Sequence, residues 1–191
     1  MYEKLVFEFP QEHNEILTPE GAGGYVVHPQ AYFRGASQIP ESKFNCSFQV
    51  FVKPFFLDRI PHRHPEDEYL IFLGAHVADE CTDGHTDVFN FDADIEFTLG
   101  EIGKDAEVFH ITKPTIVRIP AGVYHCPLNF KRVDKPVLFL AACMMPMFGA
   151  IFDQPDGSTR EAFYNGPMQC KYNDRKKCDS CGKCLMEKWN G

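Results

Sequence analysis

One short stretch of the sequence gathers side chains that could bind a metal ion. Residues 61–74 read Pro-His-Arg-His-Pro-Glu-Asp-Glu-Tyr-Leu-Ile-Phe-Leu-Gly. Because alternate residues of a strand project to the same side, His62 and His64 can point together. Pro65 begins a tight turn, and Glu68 then opens the returning strand on that side. The spacing predicts two imidazoles and one carboxylate converging on one point.

A second stretch offers another imidazole. Residues 119–129 read Ile-Pro-Ala-Gly-Val-Tyr-His-Cys-Pro-Leu-Asn, so His125 follows a Pro-x-Gly turn by three residues and could be a fourth ligand. Three neutral imidazoles and one carboxylate around a divalent ion leave a net charge of about +1, and such mixed ligation suits Mn, Fe, Zn, Ni or Co. The alternative is that these histidines are ordinary polar residues at the mouth of a barrel.

The elements that would position these residues have the pattern of β-strands. Fourteen Pro and 14 Gly divide the chain into short apolar segments with period-two alternation. No long segment shows a 3.6-residue stripe, so the pattern predicts an all-β sandwich or barrel. The clearest predicted strands are residues 44–53, 68–73, 94–99, 108–111, 115–119 and 137–144.

The first of these strands alternates strongly, which predicts one buried and one wetter face. One face carries Phe44, Cys46, Phe48, Val50 and Val52. The other face carries Asn45, Ser47, Gln49 and Lys53.

A catalytic group is harder to choose. Gln49, His110 and Arg118 lie on predicted strands that could face a cavity. Tyr124 neighbours His125, although strand alternation would put it on the opposite face. We keep these four as candidates for an acid or base.

The two stretches together resemble the signature motifs of the cupin superfamily. Its first motif is His-x-His, three residues, Glu and a later Gly; its second is Pro-x-Gly, two residues, His, three residues, Asn. The matching residues are His62, His64, Glu68, Gly74, Pro120, Gly122, His125 and Asn129. The sequence departs from the pattern in two ways, because the glycine expected before each motif is missing and the segment between the motifs is long.

The resemblance covers residues of about 44 to 145. It implies a double-stranded β-helix, the cupin or jelly-roll barrel, in which His62, His64, Glu68 and His125 bind one divalent metal. It also implies a small-molecule substrate and, as is frequent among cupins, a homodimer.

The chain of 191 residues is long enough for one well-buried domain with extensions. Residues 41–149 are expected to form the barrel. Residues 1–40 mix Pro, Gly and polar groups, and we expect them to pack on the barrel or on a partner subunit. Residues 150–191 lose the strand pattern, and we expect an irregular C-terminal extension.

The C-terminal extension contains four of the chain's eight cysteines, namely Cys170, Cys178, Cys181 and Cys184. The spacing of the last three resembles the cysteine run of bacterial ferredoxins, although no fourth Cys follows in register. Together the four thiolates could bind Zn or an iron-sulfur cluster. Free thiols in a flexible tail are the alternative.

Composition argues against several other classes of function. A net charge of -8 would repel a phosphate backbone, so no nucleic acid partner is expected. The most apolar run, residues 137–152, is broken by Pro146 and is shorter than the roughly 20 residues that a membrane helix needs. The N-terminal residues lack the pattern of a signal peptide, so we expect a cytoplasmic protein without a membrane partner.

The predicted function is a metal-dependent enzyme that acts on a small chelating oxygenated metabolite, such as a β-dicarbonyl, keto acid or enediol. Lewis-acid chemistry is favoured, whether hydrolysis, C-C cleavage, decarboxylation or isomerisation, because the cysteine-rich tail suggests a low-oxygen setting. A metal-dependent dioxygenase is the first alternative. The second is a small-molecule-binding or regulatory cupin without catalysis.

Overall fold

Twelve β-strands and one short 3-10 helix, Gly35–Ser37, form the regular structure of the computed structural model, which describes residues 6–12, 25–27, 29–75, 87–154 and 156–164. The strands are β1 (Gln11–Glu12), β2 (Gln30–Phe33), β3 (Asn45–Phe51), β4 (Phe55–Asp58), β5 (Glu68–Gly74), β6 (Ala93–Leu99), β7 (Glu107–Ile111), β8 (Thr115–Ile119), β9 (His125–Val133), β10 (Val137–Cys143), β11 (Phe148–Asp153) and β12 (Thr159–Tyr164). These ranges contain no α-helix, so the predicted all-β class is confirmed. None of their elements is a helix able to span a membrane.

Eight of the strands, β3 to β10, form two antiparallel sheets whose order is that of a jelly roll. The first sheet has the order β3-β10-β5-β8, and the second has the order β4-β9-β6-β7. The chain therefore crosses repeatedly from one sheet to the other, and neighbours in a sheet are distant in sequence. This strand order confirms the predicted barrel. Strands β2 and β1 extend the first sheet beyond β3, and β11 pairs with β12 as a hairpin.

Aromatic side chains hold the two sheets together. Phe51 of the first sheet and Phe130 of the second stack with ring centroids 4.0 Å apart. Phe139 meets Phe72 at 5.1 Å on the inner face of the first sheet. All four rings are buried, so much of the sequence's phenylalanine serves as the packed core between the sheets.

Strand β3 buries its more polar face, which the sequence pattern predicted to be the wetter one. Asn45, Ser47 and Gln49 are almost completely buried on the same side as Phe51, whereas Phe48 and Val50 on the other side are half-buried. The reason is register, because β3 pairs with β10 so that its odd-numbered residues face the barrel interior. The residues divide between the two faces as predicted, but the more hydrophobic face is the one turned away from the barrel interior.

The C-terminal part of the described chain is more regular than the sequence pattern indicates. Strands β11 and β12 lie where strand signals fade, and β11 crosses the expected barrel boundary at residue 149. Their residues do not alternate cleanly between polar and apolar types, so periodicity could not identify them. Strands β2, β4 and β9 were also not among the predicted strands.

Replacing Phe51 with Ala should remove the ring that links the sheets and leave a cavity. We expect the free energy of unfolding to fall by about 3–5 kcal/mol, as for other large-to-small changes in cores. Urea unfolding monitored by circular dichroism measures the change. Ile116→Ala is the control, because Ile116 is 64% exposed on the edge strand β8 and should change stability by less than about 0.5 kcal/mol. A similar small effect for Phe51→Ala would contradict the role assigned to this ring.

Candidate metal centre

Backbone hydrogen bonds bring the two motifs together at one end of the barrel. The His62 N–H donates to the His125 carbonyl at 3.1 Å, and the His125 N–H donates to the His62 carbonyl at 2.9 Å. The Gly122 N–H donates to the His64 carbonyl at 2.8 Å, which ties the Pro-x-Gly turn to the first motif. Residues about 60 positions apart in sequence are therefore neighbours by direct pairing.

The four side chains predicted as ligands converge inside the barrel. The His62 ring centroid lies 4.3 Å from that of His125 and 5.2 Å from that of His64. The Glu68 Oε2 atom lies 3.1 Å from the Nε2 atom of His125 and 3.3 Å from that of His64. All four side chains are buried, and one potential ligand atom from each histidine lies within 4.8 Å of the other two.

The outer nitrogen of each imidazole is held by a backbone carbonyl. The Nδ1 atom of His62 lies 2.8 Å from the Ile60 carbonyl, and that of His64 lies 2.8 Å from the Gly149 carbonyl. For His125 the corresponding distance to the Val123 carbonyl is 3.3 Å. Because a carbonyl oxygen only accepts, Nδ1 carries the proton in each neutral ring, and Nε2 keeps its lone pair for a metal.

The site contains polar atoms whose hydrogen-bonding capacity is unmet. The Nε2 atom of His64 and the Oε2 atom of Glu68 are buried, and neither makes a hydrogen bond within the part of the chain that the structure describes. Buried polar atoms are normally satisfied, so such a pair calls for a third group between them. A divalent transition metal would meet this need, since its preferred donors are imidazole nitrogens and carboxylate oxygens. The residues present therefore fit the predicted ion.

Burial and neighbouring charges shift the pKa values of three of the four predicted ligands, in different directions. Burial, followed by repulsion from the imidazoles of His125 and His64, holds the pKa of His62 well below its usual value. Burial acts to raise the pKa of Glu68, but the close imidazoles of His125 and His64, 3.1 and 3.3 Å from its Oε2 atom, outweigh burial and keep that pKa well below the usual value. Burial also acts against the charged form of His64, yet interaction with Glu68 leaves its pKa raised. Glu68 is thus an anion and His62 a neutral base near pH 7.

A cysteine on the neighbouring strand supports the carboxylate. Cys143 of β10 lies directly opposite Glu68 of β5 in the antiparallel register. Its thiol donates to the Oε1 atom of Glu68 at 3.3 Å, which leaves Oε2 directed at the histidines. Burial raises the pKa of Cys143 well above its usual value, so it remains a thiol donor. Sequence reasoning missed this contact, because strand pairing decides which residue lies beside Glu68.

A β-bulge sets the direction of His125. Leu99 pairs with His125 and Phe97 pairs with Leu128, so β9 has one more residue than β6 over this interval. Cys126 takes up the irregularity with a φ of 75°, a conformation uncommon for residues other than glycine. As a result both His125 and Leu128 are buried, which strict alternation along β9 would not allow.

The four candidate catalytic residues occupy different surroundings. Gln49 is buried on the inner face of the first sheet. His110 and Arg118 do not line the cavity: His110 is exposed beside Asp94, and Arg118 is exposed beside Asp67. The reason is that both belong to edge strands, β7 and β8, and have the opposite parity from the buried Ile111 and Ile119.

Tyr124 lies outside the ring of histidines, as alternation predicts, but it joins a polar network. Its hydroxyl donates to Asp153 and accepts from Arg63, whose guanidinium also donates to Asp153 at 2.7 Å. Burial, followed by hydrogen bonding to Asp153, raises the pKa of Tyr124 to about 12. Arg63 and Ile151 also exchange backbone hydrogen bonds, so β11 pairs with the segment that carries His62 and His64. Sequence reasoning missed Asp153, because it belongs to a strand that the pattern did not show.

The cysteines predicted as a second metal or cluster site, Cys170, Cys178, Cys181 and Cys184, lie outside the described residues.

Removing one imidazole should empty the predicted metal site. We expect His125→Ala to lose stoichiometric Mn, Fe, Co, Ni or Zn, because the remaining ligands no longer enclose an ion. Plasma emission analysis of the purified protein measures metal per chain. The matched control is His110→Ala, an exposed histidine on β7 that should leave metal content unchanged. Full metal content in His125→Ala would exclude His125 as a ligand.

Substitutions of Cys143 should test its support of Glu68. We expect Cys143→Ala to weaken metal binding about tenfold, the lower end of the range for removing an outer hydrogen bond to a ligand. Cys143→Ser keeps a donor and should retain most of the affinity. Competition with a metal-binding dye gives the dissociation constants. Equal affinities for the Ala and Ser variants would show that the thiol hydrogen bond does not matter.

Neither a family model nor a curated protein matches this sequence. Solved structures do show similarity. An Fe(II) form of HppE has 12% identity and a TM-score of 0.39, covering 62% of this chain and 50% of its own. A Lactobacillus farciminis oxalate decarboxylase in a formate complex has 12% identity and a TM-score of 0.42, and the match covers 73% of this chain and 32% of the decarboxylase. An oxalate oxidase with the substrate analogue glycolate has 11% identity and a TM-score of 0.47, and the match covers 78% of this chain and 64% of the oxidase. The chain spans less than two thirds of each of these proteins, and its assignment as a jelly roll comes from its own strand order.

Proposed function

We propose that this chain is a metal-dependent cupin enzyme that acts on a small chelating oxygenated metabolite. The observation that carries the proposal is the convergence of His62, His64, Glu68 and His125 inside a jelly roll, with His64 Nε2 and Glu68 Oε2 buried and unmatched among the described residues. A structural cluster of polar residues at a barrel mouth would be expected to satisfy its own hydrogen bonds. A site that a metal ion completes can leave these atoms without hydrogen bonds, because they bind the ion instead.

The residues around the histidines suit chemistry on an anionic oxygen. A divalent ion held there supplies Lewis acidity, which stabilises negative charge on a substrate oxygen and lowers the pKa of bound water. Phe152 packs beside His62 with ring centroids 5.3 Å apart, and Phe97 lies 6.3 Å from His125. These apolar neighbours exclude water and strengthen electrostatic interactions at the site.

The ligand set also indicates the type of substrate. Four protein ligands leave two adjacent positions if the ion is six-coordinate, and the cluster keeps a net charge of about +1. Both features favour a bidentate anionic oxygen donor. A β-dicarbonyl, an enediol and a keto acid each meet this description, and each loses a proton or carbon dioxide more readily when its oxygen atoms are bound to a cation.

We favour non-oxidative chemistry over a dioxygenase for a reason visible at the site. Cys143 lies 3.3 Å from the Glu68 carboxylate, and the buried Cys126 follows His125 directly. Thiols are the side chains most readily damaged by reactive oxygen intermediates. Two of them next to the ligands suit hydrolysis, C-C cleavage, decarboxylation or isomerisation better than oxygen activation.

Turnover under strict anoxia tests this proposal. Protein purified without oxygen and loaded with Mn, Fe, Co, Ni or Zn is offered a panel of 1,3-diketones, keto acids and enediols. We expect product without O₂ from at least one combination and at least a hundredfold less from His125→Ala, because that variant lacks a ligand. Liquid chromatography with mass spectrometry identifies the product.

Each other outcome has a definite meaning. Product formed only when O₂ is admitted would favour the dioxygenase alternative. A compound that saturates the protein and is recovered chemically unchanged would identify a binding protein instead. Analysis of iron, zinc and acid-labile sulfide in the same preparation tests the barrel site and the C-terminal cysteines together.

A further inference from the structure

The outer side of the first sheet is apolar. Its central strands β3, β10 and β5 turn six large apolar side chains away from the barrel interior, and each remains partly exposed in the single chain. An antiparallel sheet that is packed on one side only normally carries polar residues on the other. We call these six side chains the apolar face: Phe48, Val50, Ile71, Leu73, Leu138 and Leu140.

Strand pairing makes the apolar face continuous. Leu140 lies between Phe48 and Ile71 in one row across the three strands. The second row, centred on Leu138, lies two residues away along the strands and runs beside the first. The six side chains therefore form one surface rather than isolated exposed residues.

The outer side of the second sheet has a different composition. Asp94 and Glu96 of β6, His110 of β7 and Lys131 of β9 project from it. The Nδ1 atom of His110 lies 2.9 Å from Asp94 Oδ1, and the Nζ atom of Lys131 lies 3.1 Å from Glu96 Oε1. Such charged pairs suit contact with water, whereas six large apolar side chains in one patch do not.

The borders of the apolar face are more exposed than its centre. On the β8 side, Ile116 extends the row of Ile71, and the guanidinium of Arg118 pairs with Asp67 at 2.7 Å. On the β2 side, the ring of Phe9 packs edge-on against the sheet and is still 43% exposed. These positions have the character of a rim, where single side chains contribute little to binding.

The outer side of the first sheet is large enough for the core of an interface. Five strands, from β2 to β8 across the sheet, span about 24 Å, and five residues along a strand span about 16 Å. This footprint of roughly 400 Å² matches the largest apolar patches of monomeric proteins, which are often functional. An interface of standard size takes about 800 Å² from each partner and surrounds an apolar core with a polar rim.

We propose that the apolar face is the interface of a homodimer in which two copies of this chain pack face to face about a two-fold axis. In such an interface the same patch serves both subunits, so a face of regular strands is its own complement. Sheets stacked in this way lie about 10 Å apart with their strands within about 30° of each other, and the six apolar side chains of each copy fill that space. The inference does not rest on the proposed function.

Composition favours a second copy over other occupants. Interfaces of permanent homodimers are more apolar than those of transient complexes, and the apolar face contains no charged side chain. The longer segments outside the described ranges are polar in sequence. Residues 165–191 contain nine charged side chains, and residues 13–24 and 76–86 together contain only three large aliphatic ones. None of them offers an apolar surface to match six large side chains.

The proposed interface lies on the reverse of the candidate metal centre. Glu68 and Cys143 project inward from β5 and β10, whereas Ile71 and Leu140 project outward from the same two strands. A partner subunit would therefore hold these strands from outside while the predicted ligands occupy the inside.

The mass of the full chain in solution tests the inference. Light scattering after size-exclusion chromatography at micromolar concentration should give twice the mass of one chain. The mass of a single chain would overturn the inference, whether the apolar face is then covered by another segment of the same chain, by a different protein or by nothing.

Lysine substitutions locate the interface. Leu140→Lys and Ile71→Lys each bury an unpaired charge at the centre of the apolar face in both copies. We expect the dimer dissociation constant from analytical ultracentrifugation to rise at least a hundredfold, with an unchanged circular dichroism spectrum because both side chains point away from the core. Val108→Lys is the matched control, since Val108 is 60% exposed on the outer side of the second sheet, and it should change the constant less than twofold. Undiminished dimers of both first-sheet variants would overturn the inference.

Photo-cross-linking covers the case in which those lysine variants fail to fold. The photoreactive residue p-benzoylphenylalanine lies inside the proposed interface when it replaces Phe48 and outside it when it replaces Val108. Irradiation should join two chains in the first protein and not in the second. Failure to cross-link from position 48, or cross-linking from position 108 alone, would show that the chains meet elsewhere.

Discussion

The ionised carboxylate of Glu68, buried inside the barrel, is the constraint on which the rest of this structure depends. Removing such a charge from water is unfavourable unless its surroundings replace the lost hydration. Here the imidazoles of His64 and His125 and the Cys143 thiol lie against it, drawn from both sheets and from the segment before β5. The jelly-roll order makes this possible, because β5 pairs with β10 and the start of β9 pairs with the segment before β5, although β5 is distant in sequence from β9 and β10.

The apolar and polar halves of the barrel interior have different roles. Rings such as Phe51 and Phe130 provide the dense packing that stabilises the fold. The polar half, from Asn45 to Gln49 and around Glu68, leaves hydrogen-bonding atoms unmatched within the described chain and contributes correspondingly less to stability. This division is typical of proteins that retain an imperfectly satisfied site for a ligand and compensate elsewhere.

Local sequence rules were enough to identify the all-β class and the four side chains that meet at the candidate site. Alternation placed His62 with His64 and put Tyr124 outside, because those relations depend only on neighbouring residues. The polar inner face of β3 and the position of Cys143 beside Glu68 could not be predicted, since they depend on pairing with distant strands. The bulge at Cys126 breaks the alternation on which such rules rely. Strand β11 could not be predicted from the sequence, because its residues show no clear polar–apolar alternation.

The attachment of β11 has a consequence for how this scaffold can diversify. Its contacts to the histidine segment are the Gly149 carbonyl on His64, the Ile151 backbone pair with Arg63, and Asp153. All of them precede the turn into β12. Insertions or deletions in that turn would therefore lengthen or shorten the hairpin without moving an imidazole. The far end of this hairpin is thus a position where chain length can vary independently of the histidine contacts.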